Sequence, residues 1–303
     1  MKRTFLTPPP SSLPYVPFET QVEGLLVTLP PDLPTTASEL LVALDVDGTL
    51  LTKEGVTAAV KSRMKILSEA GVKLLIATGR GIAGTRNILD ELGLATGWIV
   101  ASNGALLLEV EDGEIRVVEA TLFEGSEIID QVLKNVPEAT IATEGKNYRT
   151  LVLEGFPEDE IFGEWESAPP EVLRDALVTK IIVRMPHLTR KEFKQKIKQL
   201  DLSNYQHCMG WTAWMDIMKK GVTKASRLEE MREKLGVSHL GTISVGDGRN
   251  DIPMLQWAHY SVAMGGAPRD VIESAKAVTG PVEHDGAGAV LEALIRHLKL
   301  PAE

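Results

Sequence analysis

Leu41-Val42-Ala43-Leu44-Asp45-Val46-Asp47-Gly48-Thr49-Leu50-Leu51 decides how this chain is read. The apolar run from Leu40 to Leu44 has the continuity of a strand buried on both faces. It ends on two acids, then Gly48 and Thr49. Two like charges a few ångströms apart repel, and each loses hydration on burial. A bound cation or a shared proton relieves that cost; the alternative is an exposed acidic turn after a core strand. In an open parallel α/β sheet, ligands gather at the carboxyl ends of the strands. Asp45 and Asp47 fall at such an end.

Outward from this stretch, strands and helices alternate. Val56 to Ala70 has helical spacing and is closed by Gly71. Val72 to Thr78 reads as a second buried strand, Ile82 to Leu92 as a helix, and Trp98 to Ser102 as a third strand. This βαβαβ order predicts an α/β fold with a doubly wound parallel sheet. The pattern then changes. Ala105 to Val110 and Ile115 to Ala120 flank the hairpin signal Glu111-Asp112-Gly113-Glu114. A helix over Gly125 to Asn135 follows. Strands are predicted over Thr140 to Thr143, Arg149 to Leu153, Lys180 to Met185 and Trp211 to Met218, and a helix over Thr189 to Leu200. Pro157 to Pro170 carries no clear element. Alternation resumes after Lys220. The expected layout is a Pro-rich leader over 1–38, a core over 39–118 and 215–303, and an inserted α+β domain over 119–214. The hinges are expected near Glu119 and Trp214.

The leader holds Pro8, Pro9, Pro10, Pro14, Pro17, Pro30, Pro31 and Pro34. That density disfavours helix and strand interiors and predicts an extended tail. Phe5, Leu13, Tyr15, Val16 and Phe18 offer the alternative of a segment lying on the folded body. The full chain of 303 residues has a net charge of −10, from 32 basic and 42 acidic residues. That excludes an electrostatic nucleic-acid footprint or an anionic-membrane binder, and a small anionic substrate needs a locally positive site. The single Cys208 excludes an intrachain disulfide and a multi-Cys zinc site, and fits a reducing cytoplasm. No apolar run reaches the length of a membrane span. Lys2 and Arg3 have no apolar run behind them, so no secretory signal is read.

Three further constellations carry chemistry. Thr78-Gly79-Arg80 sits where a strand opens into a helix, with a hydroxyl, a backbone N–H and a cation for an anion. Gly79-Arg80-Gly81-Ile82-Ala83-Gly84 also satisfies the dinucleotide-binding glycine pattern. It occupies the second βα unit rather than the first, and the next strand carries no ribose-binding acid. Lys220 and Lys224 precede or open a helix where the core returns. Gly246-Asp247-Gly248-Arg249-Asn250-Asp251 follows a buried strand. Asp247 and Asp251 read alone as a cap and a first-turn acid. Beside Asp45 and Asp47 they read as an oxygen-lined Mg²⁺ site. The six histidines show no ligand spacing, and Trp211, Trp214 and Met215 favour packing.

Taken in order, these motifs resemble the haloacid-dehalogenase-like superfamily, whose commonest members are magnesium-dependent phosphatases. Thr78-Gly79-Arg80, Ser102-Asn103-Gly104-Ala105, Gly246 to Asp251 and Ala263-Met264-Gly265-Gly266-Ala267 look like its Cof-type sugar-phosphate phosphatase branch. The resemblance covers about Leu40 to Leu298 and leaves the leader unexplained. It implies Asp45 as nucleophile and Asp47 as acid and base. It implies Thr78, Gly79, Lys224, Asn250 and the Val46 N–H on phosphoryl oxygens, with Arg80 and Asn103 toward the substrate. It implies Mg²⁺ on Asp45, the Asp47 carbonyl, Asp247 and Asp251. The insert corresponds to the branch's cap domain. Ala225 replaces the glycine common after the lysine, which keeps Lys220 as a second candidate. The implied activity removes phosphate from a small phosphorylated metabolite through an aspartyl-phosphate. A phosphomutase on the same scaffold, or a phosphoryl-accepting regulatory protein without turnover, are the alternatives.

Overall fold

The computed structural model describes residues 11–145 and 149–301. The first described element is helix α1, Phe18–Leu26. It corrects the expected extended tail. Pro17 and Pro30 bracket a proline-free stretch in which Phe18, Val22, Leu25 and Leu26 share one helical face. Pro17 precedes the helix, where its missing N–H is no loss, and its carbonyl accepts from Gln21 N at 3.1 Å. Val22 and Leu25 are buried in the main core. The expectations for Phe5 and the first three prolines lie outside the described residues.

Strand β1, Leu41–Leu44, is followed by α2, Ala58–Glu69, β2, Lys73–Ala77, α3, Ile82–Leu92, and β3, Gly97–Ala101. The hairpin β4, Leu106–Glu111, and β5, Glu114–Ala120, comes next. The chain then enters a second sheet through β6, Phe123–Glu124, α4, Ser126–Asn135, β7, Thr140–Gly145, β8, Thr150–Val152, and β9, Trp165–Ser167. It continues through α5, Pro170–Asp175, β10, Leu177–Arg184, α6, Arg190–Lys196, β11, Tyr205–Met209, and β12, Trp214–Lys219. The return comprises α7, Lys224–Lys234, β13, Thr242–Gly246, α8, Ile252–Trp257, β14, Tyr260–Ala263, α9, Arg269–Ile272, β15, Ala277–Val278, and α10, Gly286–His297.

The fold is α/β. The first sheet runs β15-β14-β13-β1-β2-β3-β4-β5. Its strands are parallel from β15 to β3, and the hairpin extends it antiparallel. Strand β1 lies between β2 and β13, and all four of its residues are buried. Helices α1, α2 and α10 pack together over one face, where their apolar stripes join the main core. The second sheet runs β11-β12-β10-β7-β8-β9, with β6 on β10, and has its own apolar cluster.

Strand β12 belongs to this second sheet, paired Ile217 to Ile181 of β10. The sheet therefore continues to Lys219, beyond the expected exit near Trp214. The reason is the alternation of Trp214-Met215-Asp216-Ile217, which presents Met215 and Ile217 to the second sheet's apolar cluster. Strand β11 carries Gln206, His207 and Cys208, weak strand formers whose place comes from pairing with β12. In the unassigned stretch, β9 pairs parallel with β8, and α5 starts at Pro170.

Candidate active site

Strands β1 and β13 are parallel neighbours, so their carboxyl ends deliver Asp45 and Asp247 side by side. Leu44 pairs with Val245, and Asp45 N donates to the Val245 carbonyl at 3.0 Å. The turn after β13 brings back Asp251, whose Oδ2 accepts from the N–H groups of Asp247 and Gly248 at 3.0 and 2.8 Å. Its Oδ1 accepts from Lys224 Nζ at 2.6 Å, and Lys224 also donates to Asp45 Oδ1 at 2.6 Å. Lys224 opens α7, capped by Thr223, whose side chain accepts from Ser226 N. Gly104, at φ 104°, lets this first turn come close; a side chain there would strike the Thr223 carbonyl. Lys224 is fully buried, while Lys220 is exposed in the preceding turn. That corrects the candidacy of Lys220.

One oxygen from each of Asp45, Asp247 and Asp251 lies within 4.8 Å of the others. All three residues are buried, and Asp247 Oδ2 has no hydrogen-bond partner among the described residues. Burial, then the Asp251 charge, pushes the Asp45 carboxyl above the usual range, against the pull of Lys224. Burial and the charges of Asp45 and Asp251 push Asp247 well above it. Burial works against the Lys224 charge, yet the two carboxylates hold its ammonium above the usual lysine value. A hard, all-oxygen set with an unpartnered buried oxygen fits a divalent cation such as Mg²⁺.

The Asp47 carboxylate stands apart from this cluster. Arg80 grips it with two hydrogen bonds, Nε to Oδ2 at 2.8 Å and Nη2 to Oδ1 at 2.5 Å. The ring of Phe162, from the second sheet's side, lies 4.8 Å from the Arg80 guanidinium carbon. Burial raises the Asp47 carboxyl, and Arg80 moderates the shift. Arg80, expected toward the substrate, is thus engaged by Asp47.

Asn103 is engaged as well. Its Nδ2 donates to Asp216 Oδ2 of β12 at 2.8 Å, and its Oδ1 accepts from Asn250 Nδ2 at 3.1 Å. Ser102 and Asn103 both hold positive φ, 47° and 55°, which non-glycine residues adopt at a cost. Backbone bonds fix them: Ser102 N to the Arg80 carbonyl at 2.8 Å and Asn103 N to the Thr78 carbonyl at 3.1 Å. Across the interface, Ser102 Oγ and Thr179 Oγ1 donate to Glu144 Oε1 at 2.5 and 2.6 Å. Lys180 Nζ reaches the Gly79 carbonyl at 2.8 Å. The glycine pattern around Arg80 has its explanation here. A side chain at Gly81 would run into the Glu144 carboxylate, and one at Gly84 would crowd Phe162. These glycines admit the second sheet's residues rather than a dinucleotide.

Between the two sheets lies a cleft of about 150 Å³. Asp45, Asp47, Gly79, Arg80, Asp247 and Asn250 form its floor. Its other wall comes from the insert, including Glu144, Phe162, Lys180, Trp211, Trp214 and Asp216. Thr78, next to Gly79 in the chain, is fully buried and is not among the residues lining the cleft.

The family model for haloacid dehalogenase-like hydrolases matches residues 42–291. The chain belongs to this family.

Its relatives among the haloacid dehalogenase-like hydrolases are phosphatases, and the chain is an enzyme of that type. The 5-amino-6-(5-phospho-D-ribitylamino)uracil phosphatase YcsE of Bacillus subtilis is 28% identical over 252 residues, covering 81% of this chain and 92% of YcsE. Phosphatase YwpJ of the same organism is 25% identical over 296 residues, covering 84% of this chain and 99% of YwpJ. The solved structure of BT1666, a family phosphatase from Bacteroides thetaiotaomicron, superposes with a TM-score of 0.68 at 24% identity. It covers 87% of this chain and 96% of its own. The family match begins at Val42, so α1 lies outside it.

Sequence reasoning missed the insert's share of this haloacid dehalogenase-like cleft. A signal was present. In Val178-Thr179-Lys180-Ile181-Ile182-Val183-Arg184, two cations interrupt an otherwise strand-like run at a spacing of four, which places them on one face. The register Lys180 to Glu144 and Ile182 to Asp216, which brings the acids beside them, is set by pairing between distant segments.

Proposed function

We propose that the chain is a Mg²⁺-dependent phosphohydrolase that removes phosphate from a small phosphorylated metabolite, a sugar or polyol phosphate, through an aspartyl-phosphate on Asp45. The observation that carries this reading is the buried trio Asp45, Asp247 and Asp251, with one unpartnered carboxylate oxygen, two of whose members line the cleft beside Asp47. A cluster so charged is unfavourable when empty and favourable around a cation.

The Asp45 carboxylate attacks phosphorus, and the bond from phosphorus to the ester oxygen breaks. Asp47, whose carboxyl burial raises, gives its proton to the leaving oxygen. It then takes a proton from the water that attacks the aspartyl-phosphate, which releases phosphate and restores Asp45. Lys224 holds Asp45 in line and offsets its charge. Thr78, Gly79, Asn250 and the Val46 N–H receive the phosphoryl oxygens. Asp45, Asp247 and Asp251 would hold the cation together with the Asp47 carbonyl. When bound there, it supplies positive charge beside the transferring group. On the leaving-group side, Trp211 and Phe162 next to the polar groups of the insert suit a hydroxylated molecule with one apolar face. The phosphorylated ribityl chain named in the YcsE activity is of this kind.

The test is phosphate release, with Mg²⁺ or with excess EDTA, from sugar and polyol phosphates, nucleotides, phosphoglycerate-type acids and pyridoxal phosphate. We expect release from at least one sugar or polyol phosphate and its loss in EDTA. Release from none of the panel would reject the reading, and full turnover in EDTA would reject the metal.

A further inference from the structure

The turn Thr78-Gly79-Arg80 has three carbonyls, and each has a donor. Those of Thr78 and Arg80 go to the backbone of Asn103 and Ser102, within the same domain. The middle one, Gly79, goes to the Lys180 ammonium at 2.8 Å, which arrives from β10 in the other sheet. Among the described residues lining the cleft, Lys180 is the cation that the insert contributes. It is 5% exposed, and Asp216 Oδ2 stands 3.7 Å behind it. Burial opposes its charge, but Asp216 and Glu144 hold the ammonium above the usual lysine range.

A carbonyl and the N–H that follows it belong to one rigid planar unit and point in opposite directions. Fixing the Gly79 carbonyl therefore fixes the Arg80 N–H. That N–H donates to Thr78 Oγ1 at 3.1 Å. The hydroxyl oxygen is thus occupied as an acceptor, and the hydroxyl proton has no acceptor among the described residues. The Gly79 N–H has none either. With the carbonyls engaged, the turn offers two adjacent donors, the arrangement an anion needs.

We infer that Lys180 is a positioning residue that couples the seating of the insert to phosphate binding, acting through the Gly79–Arg80 peptide on the Thr78 hydroxyl. With Lys180 on Gly79, the peptide plane is locked and the Thr78 proton points to the incoming phosphoryl group. With the insert withdrawn, the peptide turns, the Arg80 N–H leaves Thr78, and the hydroxyl loses its orientation. The effect differs from loose closure of a lid, because it passes through one identifiable peptide. It rests on the phosphohydrolase reading, in which Thr78 receives phosphate.

The test is a double-mutant cycle on the full chain with Mg²⁺. Nitrophenyl phosphate serves as substrate and inorganic phosphate as competitive inhibitor. Lys180→Met and Thr78→Val should each raise the phosphate inhibition constant about tenfold, and the double variant should be no worse than the poorer single one. Additive losses, about hundredfold in the double variant, would overturn the inference. So would a fall in kcat in Lys180→Met with phosphate inhibition unchanged. Lys180→Met leaves Asp216 buried without its cation, which endangers folding. The pair Lys180→Met with Asp216→Asn removes both charges and should show the same tenfold loss; wild-type phosphate inhibition in that pair would also overturn the inference. Nitrophenolate release by the wild-type chain separates the two levels. If none is released, the panel member that does release phosphate takes its place as substrate, and release from none of them rejects the phosphohydrolase reading and this inference with it. Turnover with additive losses rejects the inference alone.

Discussion

Asp247 carries one oxygen with no partner in a ring of like charges. Its carboxyl sits well above 3.8 in the fold, because burial and then Asp45 and Asp251 oppose its charge. The folded chain therefore holds this proton more tightly than the unfolded chain. Stability from this group is complete below the ordinary value and is lost as pH climbs through the raised one. Asp247→Asn escapes that loss. In EDTA at pH 8 we expect its Tm to rise by about 2–4 °C, the response to about 1 kcal/mol in a chain of this size. The gain should shrink on acidification, and added Mg²⁺ should stabilise the variant less than the wild type. A lower Tm at pH 8 would show that the acid is not repelled there. Asp45 and Asp47 separate by leaving group. Asp47→Asn should give a burst of about one nitrophenolate per enzyme and then slow turnover, since a phenolate leaves without a proton while hydrolysis of the intermediate still needs the base. Asp45→Asn should give no burst. Rapid-mix absorbance with intact-mass detection of bound phosphate reads both; phosphate on any residue other than Asp45 would reassign the nucleophile.

Helix α1 is an element whose attachment can be measured. The Gln21 amide is spent entirely inside the protein. Its nitrogen donates to the carbonyls of Val16 and His284, and its oxygen accepts from Gly280 N at 3.0 Å. Gln21→Ala strands a buried N–H and two carbonyls, which costs about 1–3 kcal/mol. A fall in Tm of roughly 2–12 °C should follow, with activity at 25 °C retained; an unchanged Tm would mean that α1 is not docked as described. This helix also shows why parts of the chain were hard to read. The β1, β2 and β13 strands announce themselves as apolar runs ending in chemistry, because local pattern and burial agree there. The leader does not, because its proline count hides a short proline-free window, and the face that α1 buries is supplied by α10, more than 250 residues on. Strand β11 was illegible for the same reason: only β12 makes a strand of it. At the site, Asp45 and Asp247 stood out as acids at strand ends, whereas Lys224 was picked out by the family resemblance, with Lys220 beside it. Glu144, Lys180 and Asp216 were not, since their meeting with Gly79, Ser102 and Asn103 depends on how one sheet sits on the other.

At the scale of the molecule, among the described residues, the chain passes between sheets at two places, after Ala120 and after Lys219. Both carry backbone between a strand end and the next element, where φ and ψ can change at small cost. Trp211 and Trp214 line the cleft from the insert. In a variant with Trp98, Trp165 and Trp257 replaced by Phe, Mg²⁺ with vanadate should reduce acrylamide quenching of the remaining indoles. Quenching that ignores both additions would argue against movement of the insert.

The place of β1 between β2 and β13 also bears on how the protein is made. Leu44 and its partner Val245 are about two hundred residues apart in the chain. A ribosome adding roughly 5–20 residues per second leaves that gap open for roughly 10–40 s. Throughout it, the strand that leads into Asp45 has β2 on one side and an open row of backbone donors and acceptors on the other. Such an edge, made of Leu and Val, invites pairing with a second nascent chain. Chains stalled near residue 235 should therefore be recovered bound to chaperones or in aggregates, and chains stalled with Gly246 clear of the exit tunnel should be soluble.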